Sequence, residues 1–235
     1  KDPEFTVKQS KEKRRRIHKW IKEKESVEEI PHVDGRFNGF KASSNVFWII
    51  DKKGREINCE YEEDFEDLPV TRREDAIYRV YGDYSEIPGR KPNVKNIVKV
   101  ELLGFEQEVL ELREENKNEL KKILELKDGW YYGNSKSFQT NTIDKAFLYF
   151  SKINHFFKKN FEKHLMPPMI FPGPDGSIVL EWSEDSFFLQ ITIPEKNKTP
   201  IKIYGRDKPK GKAFKRYART FQVNMEFLEW LNQRT

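Results

Sequence analysis

The sequence predicts an α+β protein in two parts: a small five-stranded β-barrel, OB-like or SH3-like, followed by an α+β domain in which helices cover an antiparallel meander. Three observations predict it. Short runs of alternating apolar residues occupy residues 30–104, and after Gly104 the apolar spacing changes to threes and fours. Near residue 171 the pattern reverts to alternation, through the turn Phe171-Pro172-Gly173-Pro174-Asp175-Gly176 into Ser177, Ile178, Val179, Leu180, Glu181 and Trp182.

The chain has 235 residues, enough for two domains that each bury a core. Charged residues make up 35%, above the roughly 25% of an average protein, a Lys/Glu excess that suits a hot habitat or a very soluble surface. The net charge of +5 permits nucleic-acid contact, but 39 acidic residues interleave with the basic ones and leave no uniformly basic face visible in sequence. A single cysteine, Cys59, excludes an intramolecular disulfide. No signal peptide or long apolar segment is visible, so a cytoplasmic protein without membrane contact is expected.

Taken in order, Lys1-Asp2-Pro3-Glu4-Phe5 reads as the remnant of a cleaved tag with restriction-site residues, the native start lying further upstream. Residues 6–29 form a basic amphipathic arm, with Lys11-Glu12-Lys13-Arg14-Arg15-Arg16 ahead of Ile17, Trp20 and Ile21 at helical spacing. Residues 30–104 form the barrel, with strands expected at 36–42, 46–50, 56–61, 77–84 and 94–103. Asp51-Lys52-Lys53-Gly54 is a hairpin turn and Ile87-Pro88-Gly89-Arg90-Lys91-Pro92 a loop. The acidic segment with Glu60, Glu62, Glu63, Asp64, Glu66 and Asp67 falls where an OB-type barrel connects its third and fourth strands.

Residues 105–235 form the α+β domain. One or two helices end at Asp128-Gly129, and a further helix opens at Thr140-Asn141 with Ile143, Ala146, Phe147, Phe150, Ile153 and Phe157 on one face. Pro167-Pro168 stops any continuation, and Met169-Ile170-Phe171 leads into the turn. Strands at 177–182, 187–193 and 200–204 make the meander. A basic loop follows at 208–215, and a helix at 225–231 closes the chain.

Leu126-Lys127-Asp128-Gly129-Trp130, Pro172-Gly173-Pro174-Asp175-Gly176 and Leu180-Glu181-Trp182 resemble the motifs of a family of uncharacterised prokaryotic proteins. Those motifs read Leu-x-Asp-Gly-Trp, then Pro-x-Pro-Asp/Glu-Gly-Gly, then Glu-Trp and an alternating strand. The resemblance covers about residues 118–205 and implies an α+β fold for the second half, without catalytic residues. Ser177 departs from the pattern, standing where the family has a second glycine.

Familiar enzyme signatures are missing: there is no Gly-x-Ser-x-Gly, Walker or dinucleotide-binding sequence. Pro174-Asp175 followed by Glu181-Trp182-Ser183 has the outline of a metal-dependent nuclease, yet Ser183 stands where the lysine is needed. The four histidines and Cys59 lack metal-ligand spacing, so no metal or cofactor is expected. Scattered carboxylates such as Asp128, Asp175 and Glu181 leave an enzyme as the last-ranked reading.

Aromatic and basic residues interleaved on the barrel strands point to binding. Trp48 and Tyr81 with Lys41, Arg55, Arg79, Arg90 and Lys91 form the combination that single-stranded nucleic-acid binders use, and Lys210, Lys212 and Arg216 supply a second basic stretch. The expectation is a non-enzymatic binding protein contacting single-stranded DNA or RNA. The alternative is a protein-interaction subunit, accessory or antitoxin-like, of a mobile-element or defence locus, its oppositely charged patches meeting a protein partner.

Overall fold

The computed structural model describes residues 31–62, 73–196, 199–218 and 223–235. Residues 1–5, expected to be a tag remnant, the arm expected at 6–29, and the acidic residues Glu63, Asp64, Glu66 and Asp67 lie outside them. The chain falls into two compact units, divided between Leu102 and Leu103. No helix among the described residues is long and apolar enough to cross a membrane.

In the first unit β1 (His32–Lys41), β2 (Val46–Ile50), β3 (Glu56–Glu60), β4 (Ala76–Ser85) and β5 (Asn93–Phe105) close into a barrel in the order β1-β2-β3-β5-β4. Alternation explains which face closes inward. Phe47 and Ile49, Ile57 and Cys59, and Tyr78 and Val80 fill the interior, while the residues between them face out. Asp51 builds the β2–β3 turn by accepting hydrogen bonds from the backbone N–H groups of Lys53 and Arg55. The β3–β5 pair is parallel, with Asn58 opposite Asn93 and Cys59 opposite Val94. A parallel pair cannot be joined by a tight hairpin, so the segment after β3 and the whole of β4 intervene.

The second unit begins within the last residues of β5, where the Phe105 N–H donates to Ser151 Oγ at 3.1 Å. Helices α1 (Glu106–Glu115), α2 (Lys117–Glu125) and α3 (Thr140–Phe161) follow. A sheet then runs through β6 (Met169–Pro172), β7 (Ile178–Ser183), β8 (Phe187–Ile193), β9 (Ile201–Asp207) and β10 (Ala213–Ala218), and α4 (Met225–Asn232) ends the described chain. The five strands are antiparallel in the order β10-β9-β8-β7-β6. The apolar stripe of α3 packs with Ile178, Leu180, Trp182, Leu189 and Ile191, and α4 adds Phe227, Leu228 and Leu231 to the same core. Trp182 packs tilted against Phe150 with ring centres 6.0 Å apart, and its indole N–H donates to the Met166 carbonyl.

Two strands exceed the sequence expectation. Residues 169–172 pair with β7 instead of merely leading into the turn, and the basic stretch expected as a loop becomes strand β10 from Ala213 onward. The physical reason for β10 is Gly205: Phe214 lies directly over it and meets Trp230 edge-on at 4.7 Å. A Cβ on Gly205 would stand 2.3 Å from the Phe214 ring, so the missing side chain makes room for the aromatic that anchors the edge strand.

Candidate nucleic-acid interface

On the barrel, Trp48 faces outward at the middle of β2. It stands opposite Gly39 on β1 and Asn58 on β3. A β-bulge between Phe37 and Gly39 displaces the register, and Gly39 adopts φ 154°, a conformation that side chains rarely take. The Trp48 ring occupies the space there, 3.2 Å from where a Gly39 Cβ would lie. Sequence and bulge together thus lay one indole across the outer surface, partly exposed.

Basic residues sit toward both ends of β2. Lys41, exposed, pairs in register with Val46 at one end. Toward the other end, Lys91 bonds Glu56 at 2.6 Å, and Glu56 stands opposite Ile50. The Asn58 N–H donates to the Pro92 carbonyl, which holds the β4–β5 loop beside β3, and Arg90 is exposed on that loop.

The other barrel candidates are engaged internally. Arg79 makes a bidentate pair with Asp34 across the β1–β4 ladder, at 2.7 and 2.8 Å. Burial alone would lower the Arg79 pKa, but the Asp34 carboxylate outweighs it and raises it. Tyr81 is only 2% exposed. Its hydroxyl donates to Glu101 at 3.0 Å, Lys99 lies over its ring and His32 flanks it, and burial followed by the Glu101 charge pushes its pKa up. Arg55 bonds both Asp51 and Glu86, and the Asp51 hydrogen bond is the main cause of its raised pKa.

In the second unit, Lys210 and Lys212 lie in the β9–β10 turn, which is held from below. Asp207 Oδ1 accepts the Lys210 N–H, the Asp207 N–H donates to the Lys212 carbonyl, and Arg234 bonds Asp207 Oδ2 at 2.7 Å while stacking on Trp230. The Lys210 N–H first, and Arg234 after it, lower the Asp207 pKa against the effect of burial. Both lysine side chains stay exposed. Arg216 stands opposite Ile203, on the helix side of β10, and bonds Glu226 of α4 at 2.7 Å.

The carboxylates weighed for catalysis serve the loops. Asp128 accepts the Ser137 N–H, which lowers its pKa. Asp175 accepts both the N–H and the hydroxyl of Ser177, and these bonds outweigh the opposing effect of burial to lower its pKa too. Lys136 N–H donates to the Pro174 carbonyl, so the Asp-Gly-Trp and Pro-Asp-Gly motifs join in one loop network. Among the described residues no group of three or more His, Cys, Asp or Glu side chains is placed to hold a metal ion. His155 packs on Phe105 at 4.6 Å.

The sequence expectation placed the second basic stretch, Lys215 included, in a loop and missed that residues from Ala213 onward form a strand that also carries Tyr217. The signal was present in the alternation of Phe214, Arg216 and Ala218 with Lys215 and Tyr217. Comparisons with protein-family models, with curated proteins and with solved structures find no match to this chain.

Proposed function

We propose that the first unit is an OB-type barrel and that the protein is a non-enzymatic binder of single-stranded nucleic acid. The observation that carries this reading is the outward indole of Trp48 on β2, seated over Gly39 of β1, between Lys41 and the Arg90-Lys91 loop. The OB reading rests on the strand order, with β3 parallel to β5 and β1 paired with both β2 and β4. OB barrels bind oligonucleotides on the face of their second and third strands and on the loops β1–β2 and β4–β5, which is where these residues lie. A base stacks on the indole whatever its sequence, and the cations toward either end of β2, about 13 Å apart by strand rise, meet phosphates on either side of it. Lys210 and Lys212 add phosphate contacts from the second unit.

The test is fluorescence polarisation of the full chain with labelled single-stranded DNA, duplex DNA and RNA, each over a range of salt. Single strands are expected to bind at micromolar concentration or tighter. Trp48→Ala should weaken them about fivefold or more while leaving the circular dichroism spectrum unchanged. Absence of binding at low salt would overturn the reading and favour a protein partner, tested by co-purification with the product of a neighbouring gene.

A further inference from the structure

The sheet of the second unit has a face that its helices do not cover. The residues pointing into the core from β7, β8 and β9 are buried, whereas those pointing the other way are all exposed or partly exposed. Registers fix which residues line that open face. One cross-strand row runs Thr192, Lys202, Tyr217; the next Gln190, Tyr204, Lys215; the third Phe188, Arg206, Ala213.

These nine positions on β8, β9 and β10 hold three aromatic side chains, three cations and no acid, in a chain with 39 acidic residues. Each row carries one aromatic and one cation. Tyr217 is 56% exposed with the Lys215 ammonium 5.4 Å from its ring centre, and Phe188 meets Tyr204 edge-on at 6.1 Å. Among the described residues no carboxylate comes within ion-pair distance of Lys202, Arg206 or Lys215. Nearby, Glu181 on β7 accepts a hydrogen bond from Gln190, and the Lys202 charge reaches Asp175, helping to lower its pKa without an ion-pair contact.

We propose that this open β8–β10 face is a second binding platform for single-stranded nucleic acid, with bases stacking on Tyr204, Tyr217 and Phe188 and phosphates meeting Lys202, Arg206 and Lys215. Adjacent strands stand about 4.8 Å apart and outward residues on one strand about 6.8 Å apart, so rings on neighbouring strands can engage neighbouring bases. Aromatic faces supply sequence-tolerant stacking, and cations free of carboxylate partners retain their charge for phosphates. Lys202 and Lys215 argue against a protein occupant, because lysine is depleted at protein interfaces, whereas the aromatic residues and Arg206 suit either kind of partner. This platform shares its ligand class with the barrel reading but stands on different residues.

The experiment uses the full chain and a labelled oligothymidylate of about 15 nucleotides, with bromodeoxyuridine in a second preparation for photocrosslinking and peptide mapping. Crosslinks are expected in peptides containing Phe188, Tyr204 or Tyr217. The double variant Tyr204→Ala/Tyr217→Ala should bind about tenfold or more weakly, with an unchanged unfolding midpoint. Lys202→Ala/Arg206→Ala/Lys215→Ala should flatten the log affinity against log salt slope by about 2. Crosslinks confined to barrel peptides, with these variants binding like the parent, would overturn the platform and leave the barrel reading standing. Crosslinks confined to the sheet would support the platform and remove the barrel from the interface. A concentration-dependent dimer, lost in the Tyr204/Tyr217 variant and with no oligonucleotide bound, would overturn the proposal in favour of self-association.

Discussion

On the barrel, Asp34 holds Arg79, Glu56 holds Lys91 and Glu60 holds Lys95, whereas on the open sheet Lys202, Arg206 and Lys215 are exposed with no carboxylate within ion-pair distance among the described residues. Both surfaces mix basic and aromatic residues. They differ in where the acids sit: on the barrel they lie beside the cations, and on the second sheet the outward positions of β8–β10 hold none. Partly exposed ion pairs of the barrel kind contribute only about 0–1 kcal/mol each to stability, yet they neutralise the local field that would draw a polyanion. The net charge of +5 therefore says less about a binding surface than the pairing of individual charges does.

The largest effect that would sharpen this contrast is structural. Gly205→Val forces a side chain into the Phe214 ring and should destabilise the second unit by about 3 kcal/mol, read by urea denaturation. In the same experiment Cys59, fully buried in the barrel with its thiol pKa pushed up by burial, should stay unreactive to a thiol reagent below the barrel's own transition. Modification of Cys59 in step with the loss of the second sheet would show that the two units do not unfold separately.

Acid should also act on the second unit. Asp175 and Asp207 have folded pKa values below the ordinary carboxylate range, so the stability they contribute is present above about pH 4 and lost as pH falls through the folded values. The unfolding midpoint of this unit is expected to drop as pH falls below about 4. Arg234→Ala removes one cause of the Asp207 shift and should make that drop shallower. An unchanged profile in the variant would contradict the role given to the Arg234–Asp207 pair.

The smallest effect tests the barrel. Glu56→Gln releases Lys91 and should tighten single-strand binding about twofold at low salt, an increase that fades at high salt. If neutralising Glu56 leaves affinity unchanged while Trp48→Ala still weakens it, stacking and not charge dominates on this face.

The barrel strands were legible from short apolar runs and turns: Val46 to Ile50 is five apolar residues ahead of the Asp51-Lys52-Lys53-Gly54 turn, and Ile57 and Cys59 then alternate with polar neighbours. Strands β6 and β10 were harder. The first is four residues long and ends in Pro172, and the second exposes charged residues on both sides because it is an edge strand resting on the Phe214–Gly205 contact. The fate of Arg79 and Tyr81 was not legible at all, since Asp34 lies 45 residues from Arg79 and Glu101 lies 20 residues from Tyr81. The same holds for the open sheet face, whose rows exist only once three strand registers are fixed.

The most direct test of the central claim is the salt dependence of single-strand affinity, measured with the full chain by fluorescence polarisation from about 50 to 300 mM salt. The account predicts micromolar or tighter binding at the low end and a log–log slope of about −2 or steeper, as several phosphates give up their counterions. Binding that does not respond to salt, or none at about 50 mM, would contradict it.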